Sequence, residues 1–329
     1  MASPNLPTTD ADALPFLTES GPRNSRDQFG WKSIFVGSNG LRAGWRLLIF
    51  IVLLGVQVVL ISFFGPFLGR LLPFLRPPGD LPKGSVTPGI LGGGDAMLVL
   101  ALCIATWIMA RIEHRRFAAY GLPLRSAFKK DFWVGSLLGF GAISGTLLTM
   151  FLLRGFRITG LAIHGRTIVS SLVAWLVTFL VVGIFEEFGF RGYIQYTLSS
   201  GIGFWPAALI ISGLFGLVHF FADSNESVVG SVAVVMFGLL LCLFLWRTGN
   251  LWCSIGFHLA YDWGQTFFYG VPDSGIVPYH NLLNSTRSGP LWLTGGAVGP
   301  EASVLTPIAL TVVALAFNRF CRENRYEIA

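Results

Sequence analysis

The sequence predicts an all-α fold, a polytopic membrane bundle of about eight transmembrane helices. Three observations carry that expectation. The 329 residues are 53% hydrophobic and only 12% charged, whereas a soluble domain carries about 25% charged residues. Mean hydropathy is +0.65. Uncharged apolar runs of bilayer-spanning length, about twenty residues, recur along most of the chain.

The runs fall at 45–69, 93–111, 132–153, 170–197, 203–222, 228–246, 250–269 and 304–320. The first, third and sixth are clean. The fourth is interrupted by charges at 186–191, and the fifth and seventh each hold a histidine. Residues 1–44 are polar, rich in Pro, Ser, Asp and Gly, and read as a flexible cytoplasmic tail without the order of a cleavable signal peptide. Residues 45–320 form the transmembrane domain, and 321–329 a short cytoplasmic tail. With eight spans and the N-terminus inside, sixteen of the 23 Lys and Arg fall in cytoplasmic segments. The positive-inside rule then puts both termini in the cytoplasm. The net charge of +6 is accounted for by these orienting loops, and no nucleic-acid partner is expected. Cys103, Cys242, Cys253 and Cys321 form no CxxC pair, which speaks against a disulfide framework or a Cys-rich zinc site.

An ionisable group at the centre of a membrane helix costs about 2.5–3.5 kcal/mol even on insertion scales. Three places bear that cost. The fourth run contains Glu186-Glu187-Phe188-Gly189-Phe190-Arg191, the fifth Phe215-Gly216-Leu217-Val218-His219, and the seventh His258-Leu259-Ala260-Tyr261-Asp262. Glu187 and Arg191 are four apart and stack on one helix face, where they can form an ion pair. Glu186 is rotated about 100° away and faces elsewhere. His258 and Asp262 also share a face. If the chain turns near Gly201–Gly203, Glu186 and His219 each lie about 24 Å up their helices, and His258 and Asp262 reach a similar zone.

Carboxylates and imidazoles converging in an apolar bundle suit water activation. A glutamate in a low-dielectric site moves toward the range useful for a general base, and a histidine can orient the water or stabilise an oxyanion. Glu186, His219, His258 and Asp262 are equally acceptable ligands for a divalent metal such as zinc. The bland readings are a surface ion pair at a helix end for Glu187 and Arg191, and packing histidines for the others. A Gly-x-Gly-Asp match at Gly92-Gly93-Gly94-Asp95 opens the second run and reads as a coincidence of a Gly-rich loop. No His-Glu-x-x-His motif occurs.

The ordered set Glu-Glu-x-x-x-Arg, Phe-x-x-x-His and His-x-x-x-Asp, over roughly 170–270, resembles the CPBP (Abi) family of CAAX prenyl endopeptidases and bacteriocin-processing or self-immunity proteins. The resemblance implies an intramembrane endopeptidase of a prokaryotic plasma membrane, acting on a membrane-associated peptide or lipidated protein. It further implies that Glu186 and His219 activate water, that Glu187 with Arg191 supports the site, and that His258 with residue 262 stabilises the oxyanion. Prenyl endopeptidases usually have Asn at that last position. Asp262 as a carboxylate cannot donate, so it must be protonated, orient His258 or bind a metal. The family has been described both as metalloproteases and as metal-free glutamate proteases. Two other classes compete: a proton-coupled transporter, which would spread its polar residues along a pathway, and a catalytically silent self-immunity module.

Overall fold

A computed structural model describes residues 35–37, 40–72, 75–79, 81–222 and 227–327. The tail expected at 1–44 therefore lies outside the described residues up to position 34. The chain is an all-α polytopic bundle. Among the described residues six helices are long and apolar enough to cross a bilayer: α1 (Ala43–Leu71), α2 (Pro88–Ile112), α3 (Lys130–Leu152), α4 (Arg166–Glu187) with its continuation through a π-helical segment Phe188–Ile194 into α5 (Gln195–Ile202), α6 (Phe204–Ala222) and α7 (Val228–Thr248).

The last two apolar runs are helical close to the expected bounds, but neither is among the six helices long enough to cross a bilayer. The seventh folds as α8 (Trp252–Trp263, 12 residues), which runs into a second π-helical segment, Gly264–Phe268. The eighth is α9 (Leu305–Phe320, 16 residues). The physical reason is plain for α8. Every residue from Trp252 to Asp262 is buried, so its apolarity serves a protein interior, where a helix need not match the bilayer thickness.

The start of α2 also differs from expectation. Thr87 caps the helix, its side chain accepting from the Ile90 amide at 3.3 Å, and Pro88 occupies the first turn. Ser, Thr, Asp or Asn followed by Pro favours helix initiation there. Gly92–Asp95 consequently sit inside a helix rather than in a loop.

α8 is the central post, packed against α3, α4 and α7. Its closest approach is to α3. A Cβ at Gly135 or Gly139 would run into the backbone of Cys253 or Phe257, and one at Gly256 into the Phe132 carbonyl. Small residues on both surfaces let the helix backbones meet, as membrane helix pairs do. Gly183 plays the same part between α4 and α8, where a Cβ would stand 3.3 Å from the Ile255 carbonyl oxygen. The α5–α6 turn closes on Gly203, whose φ of +87° belongs to the left-handed region that glycine adopts freely.

Outward positions are apolar in the way a lipid-facing surface requires. On α1, Val59, Phe63 and Phe67 are exposed, while only Arg46 and Phe50 are buried. Beyond the helices, β1 (Ser85–Val86) pairs parallel with β3 (Val277–Pro278), and β2 (Phe156–Leu161) pairs antiparallel with β4 (Leu283–Arg287). These ladders tie the 270–302 region down near the end of α8, which matters for the cavity described next.

Candidate active site

Glu186 and Glu187 close α4, and the chain then loosens into the π-helical turn that carries Arg191. A π turn gives up regular i→i−4 pairing and is often found where side chains must be re-aimed. Here Gly192, with ψ of −116°, breaks the helical path outright. Glu187 and Arg191 have fully buried side chains and pair at 3.2 Å. The Arg191 guanidinium also lies 4.4 Å from the Phe215 ring centroid of α6, within cation–π range. Gly238 of α7 leaves room for it, since a Cβ there would come within 2.7 Å of Arg191 Nη2.

His258 of α8 is the hub. Its Nδ1 lies 2.8 Å from Glu187 Oε1. Its Nε2 lies 3.2 Å from Asp262 Oδ2 and 3.5 Å from Glu186 Oε2. The structure thus brings five of the six candidate residues together: Glu186, Glu187, Arg191, His258 and Asp262. His219 stands apart. Its Nδ1 faces the Phe215 carbonyl one turn back on its own helix at 2.9 Å. A carbonyl only accepts, so that contact puts a hydrogen on Nδ1 and leaves Nε2 as the acceptor when the ring is neutral. Among the described residues His219 pairs with neither glutamate, although it lines the same cavity as Glu186.

That cavity, 380 Å³ in volume, reaches from Glu186, His219, His258 and Asp262 to Asp273 and Glu301, with Trp175, Phe179, Val182 and Phe237 among its apolar walls. Asp95 also lines it. Gly92, one turn earlier on α2, permits this by letting α2 press on α4, where a Cβ would meet Thr178 Oγ1 at 2.9 Å. A lone charge in an apolar run was the signal that could have flagged Asp95. Asp273 and Glu301 come from segments between helices and had no such signal.

Asp273 accepts from Thr266 Oγ1 at 3.0 Å and Gln265 Nε2 at 3.3 Å. Burial, reinforced by the charges of Asp262 and Glu301, holds it well above the usual carboxylate range, against the Thr266 hydrogen bond and the His258 charge, which act the other way. The folded state therefore keeps a proton that the unfolded chain has released above about pH 3.9. Stability from this group is full below that value and is lost as pH rises toward the folded value. Asp273→Asn has no proton to lose. The variant is expected to show a shallower decline in Tm from pH 5 to 8 than wild type; parallel curves would contradict the assignment.

Among the described residues no group of three or more His, Cys, Asp and Glu side chains is arranged to hold a metal ion. Glu186 and Asp262 both approach Nε2 of His258, at 3.5 and 3.2 Å, while among the described residues His219 pairs with none of the three.

Residues 168–264 match the family described as Rce1-like, type II CAAX prenyl endopeptidase. A curated relative, an uncharacterized protein YyaK of Bacillus subtilis (strain 168), is 29% identical over 112 residues, or 32% of this chain and 37% of the relative. The match thus spans about a third of that relative's length. The family match takes in Glu186, Glu187, Arg191, His219, His258 and Asp262, so this stretch of the membrane protein is similar to the CAAX prenyl endopeptidase family over the residues that line the site.

Proposed function

We propose that the protein is an intramembrane endopeptidase that hydrolyses a peptide bond of a membrane-associated, lipidated substrate by direct glutamate activation of water, without a metal. One observation carries the reading. Glu186 Oε2 is a buried acceptor that takes no hydrogen bond from the described residues, on a residue lining a cavity large enough for a peptide segment. A buried carboxylate oxygen left open toward such a cavity is suited to accept a proton from water.

The other side chains take complementary parts. Glu186 removes the proton as the water attacks the carbonyl, and His219 presents Nε2 toward the cavity to orient the water. Glu187, paired with Arg191, fixes His258 through Nδ1. Asp262 only accepts, so it holds a hydrogen on Nε2 of His258. With a hydrogen on each ring nitrogen, both held by carboxylates, His258 is an imidazolium whose charge, rather than a free N–H or Asp262 itself, stabilises the developing oxyanion.

The test uses wild-type protein in proteoliposomes and, as probe, an internally quenched peptide ending in a farnesylated Cys followed by three residues, beside the same peptide without the lipid. Cleavage of the farnesylated probe, undiminished by EDTA and 1,10-phenanthroline, is expected. Cleavage abolished by chelator and restored by zinc would replace the glutamate mechanism with a metal one. No cleavage of either peptide would remove the prenyl-peptide reading.

A further inference from the structure

A second buried polar cluster lies outside the cavity, and it grips the chain two residues beyond Arg191. Tyr193, fully buried, donates its hydroxyl to Glu113 Oε1, and Arg46 of α1 donates to Glu113 Oε2. Glu113 caps the C-terminal end of α2 and has a side chain only 7% exposed. Arg46 reaches on to Ser200 Oγ of α5 at 3.2 Å, and Arg115 Nε stands 3.6 Å from Glu113 Oε2. The Tyr193 ring stacks on Phe50 at 4.4 Å and packs, tilted, against Tyr120 at 5.1 Å.

A buried carboxylate with two cations and a phenol is costly to assemble, and merely attaching α1 would not require the phenol. The position of Tyr193 shows what the clamp holds. Between Glu187 and Tyr193 the chain is π-helical and departs from helical geometry at Gly192. Such a segment lacks the regular hydrogen-bond ladder that would set its path, and an anchor beyond the break supplies that definition instead. We infer that Glu113 is a positioning residue: through Tyr193 it fixes the π-helical turn and thereby the Glu187–Arg191 pair that orients His258. The inference rests on the proposed peptidase reading for its kinetic consequence, while its structural consequence stands independently.

The experiment compares wild type, Glu113→Gln and Tyr193→Phe in lipid nanodiscs, by amide hydrogen exchange and by turnover of the farnesylated probe. Tyr193→Phe keeps the ring packing and deletes only the hydroxyl, so it tests the link even if Glu113→Gln fails to fold. Both variants are expected to exchange about tenfold faster over 187–194 than wild type. Both are expected to lose kcat by about 10–100-fold with KM unchanged, as small misplacements of catalytic groups do. Faster exchange confined to α1 residues 43–50, or a Tyr193→Phe protein with wild-type exchange at 187–194, would overturn the inference and leave Glu113 as a fastener for α1. If wild type does not cleave the probe, the peptidase reading falls, and the exchange measurement alone decides the positioning role.

Discussion

Glu186→Gln is expected to remove cleavage of the farnesylated probe almost completely while the protein remains folded. Losing a general base costs about 10²–10⁴-fold, and the substitution takes little else away. The side chain is 20% exposed, the amide has nearly the same volume, and its polar end still faces a cavity containing His258 and Asp262. The thermal transition should stay near the wild-type value, because Arg191 pairs with Glu187, not with Glu186, and His258 loses only its longest carboxylate contact, at 3.5 Å. His258 keeps its acceptors at Glu187 and Asp262. The measurement is probe turnover beside a melting curve in the same detergent. Turnover within a few-fold of wild type in a folded protein would sink the assignment of Glu186 as the base. Lost turnover with a collapsed melting transition would instead show that Glu186 is part of the scaffold.

The sequence made some features legible and hid others for physical reasons. Within a helix, spacing reveals which side chains meet, so the Glu187–Arg191 and His258–Asp262 pairs could be anticipated from separations of four. Equal depth on neighbouring helices was also a sound indication that Glu186 and His219 face common space, and both line one cavity. Depth does not fix rotation about a helix axis, however. The direct partner of Glu187 across the bundle proved to be His258, at 2.8 Å, through an approach that Gly183 makes possible. That α8 is an interior helix was hidden because a fully buried helix and a membrane-spanning helix are equally apolar. Asp95 was discounted as part of a glycine-rich loop, although Thr87 and Pro88 are a helix-start signal in plain view. Asp273 and Glu301 reach the cavity only through β-ladders and turns, for which residues 270–302 carry no periodic pattern.

The clearest separation between scaffold and chemistry is expected at Arg191. Its side chain is fully buried, and Arg191→Ala would leave Glu187, also fully buried, without its cation. Breaking a buried pair by removing one partner costs about 3–5 kcal/mol, because the remaining charge is uncompensated. Glu187 has a second partner in His258, so the orphaned carboxylate would draw on that contact alone, and the imidazole would turn away from Asp262 and the cavity. Arg191→Ala should therefore lower Tm markedly and abolish turnover together. Pairing it with Glu187→Gln gives the decisive comparison. If the two residues matter to each other mainly as a buried ion pair, the double variant should be more stable than Arg191→Ala alone, since an amide in place of the stranded carboxylate removes the penalty. Turnover should stay absent, because no carboxylate then orients His258 through Nδ1, and the Asp262 contact at Nε2 alone does not set the ring. A double variant whose Tm loss equals the sum of the two single losses would show that Glu187 and Arg191 act on stability independently. A double variant that recovers turnover along with stability would show that His258 needs no carboxylate at position 187, and the catalytic part assigned to that contact would be wrong.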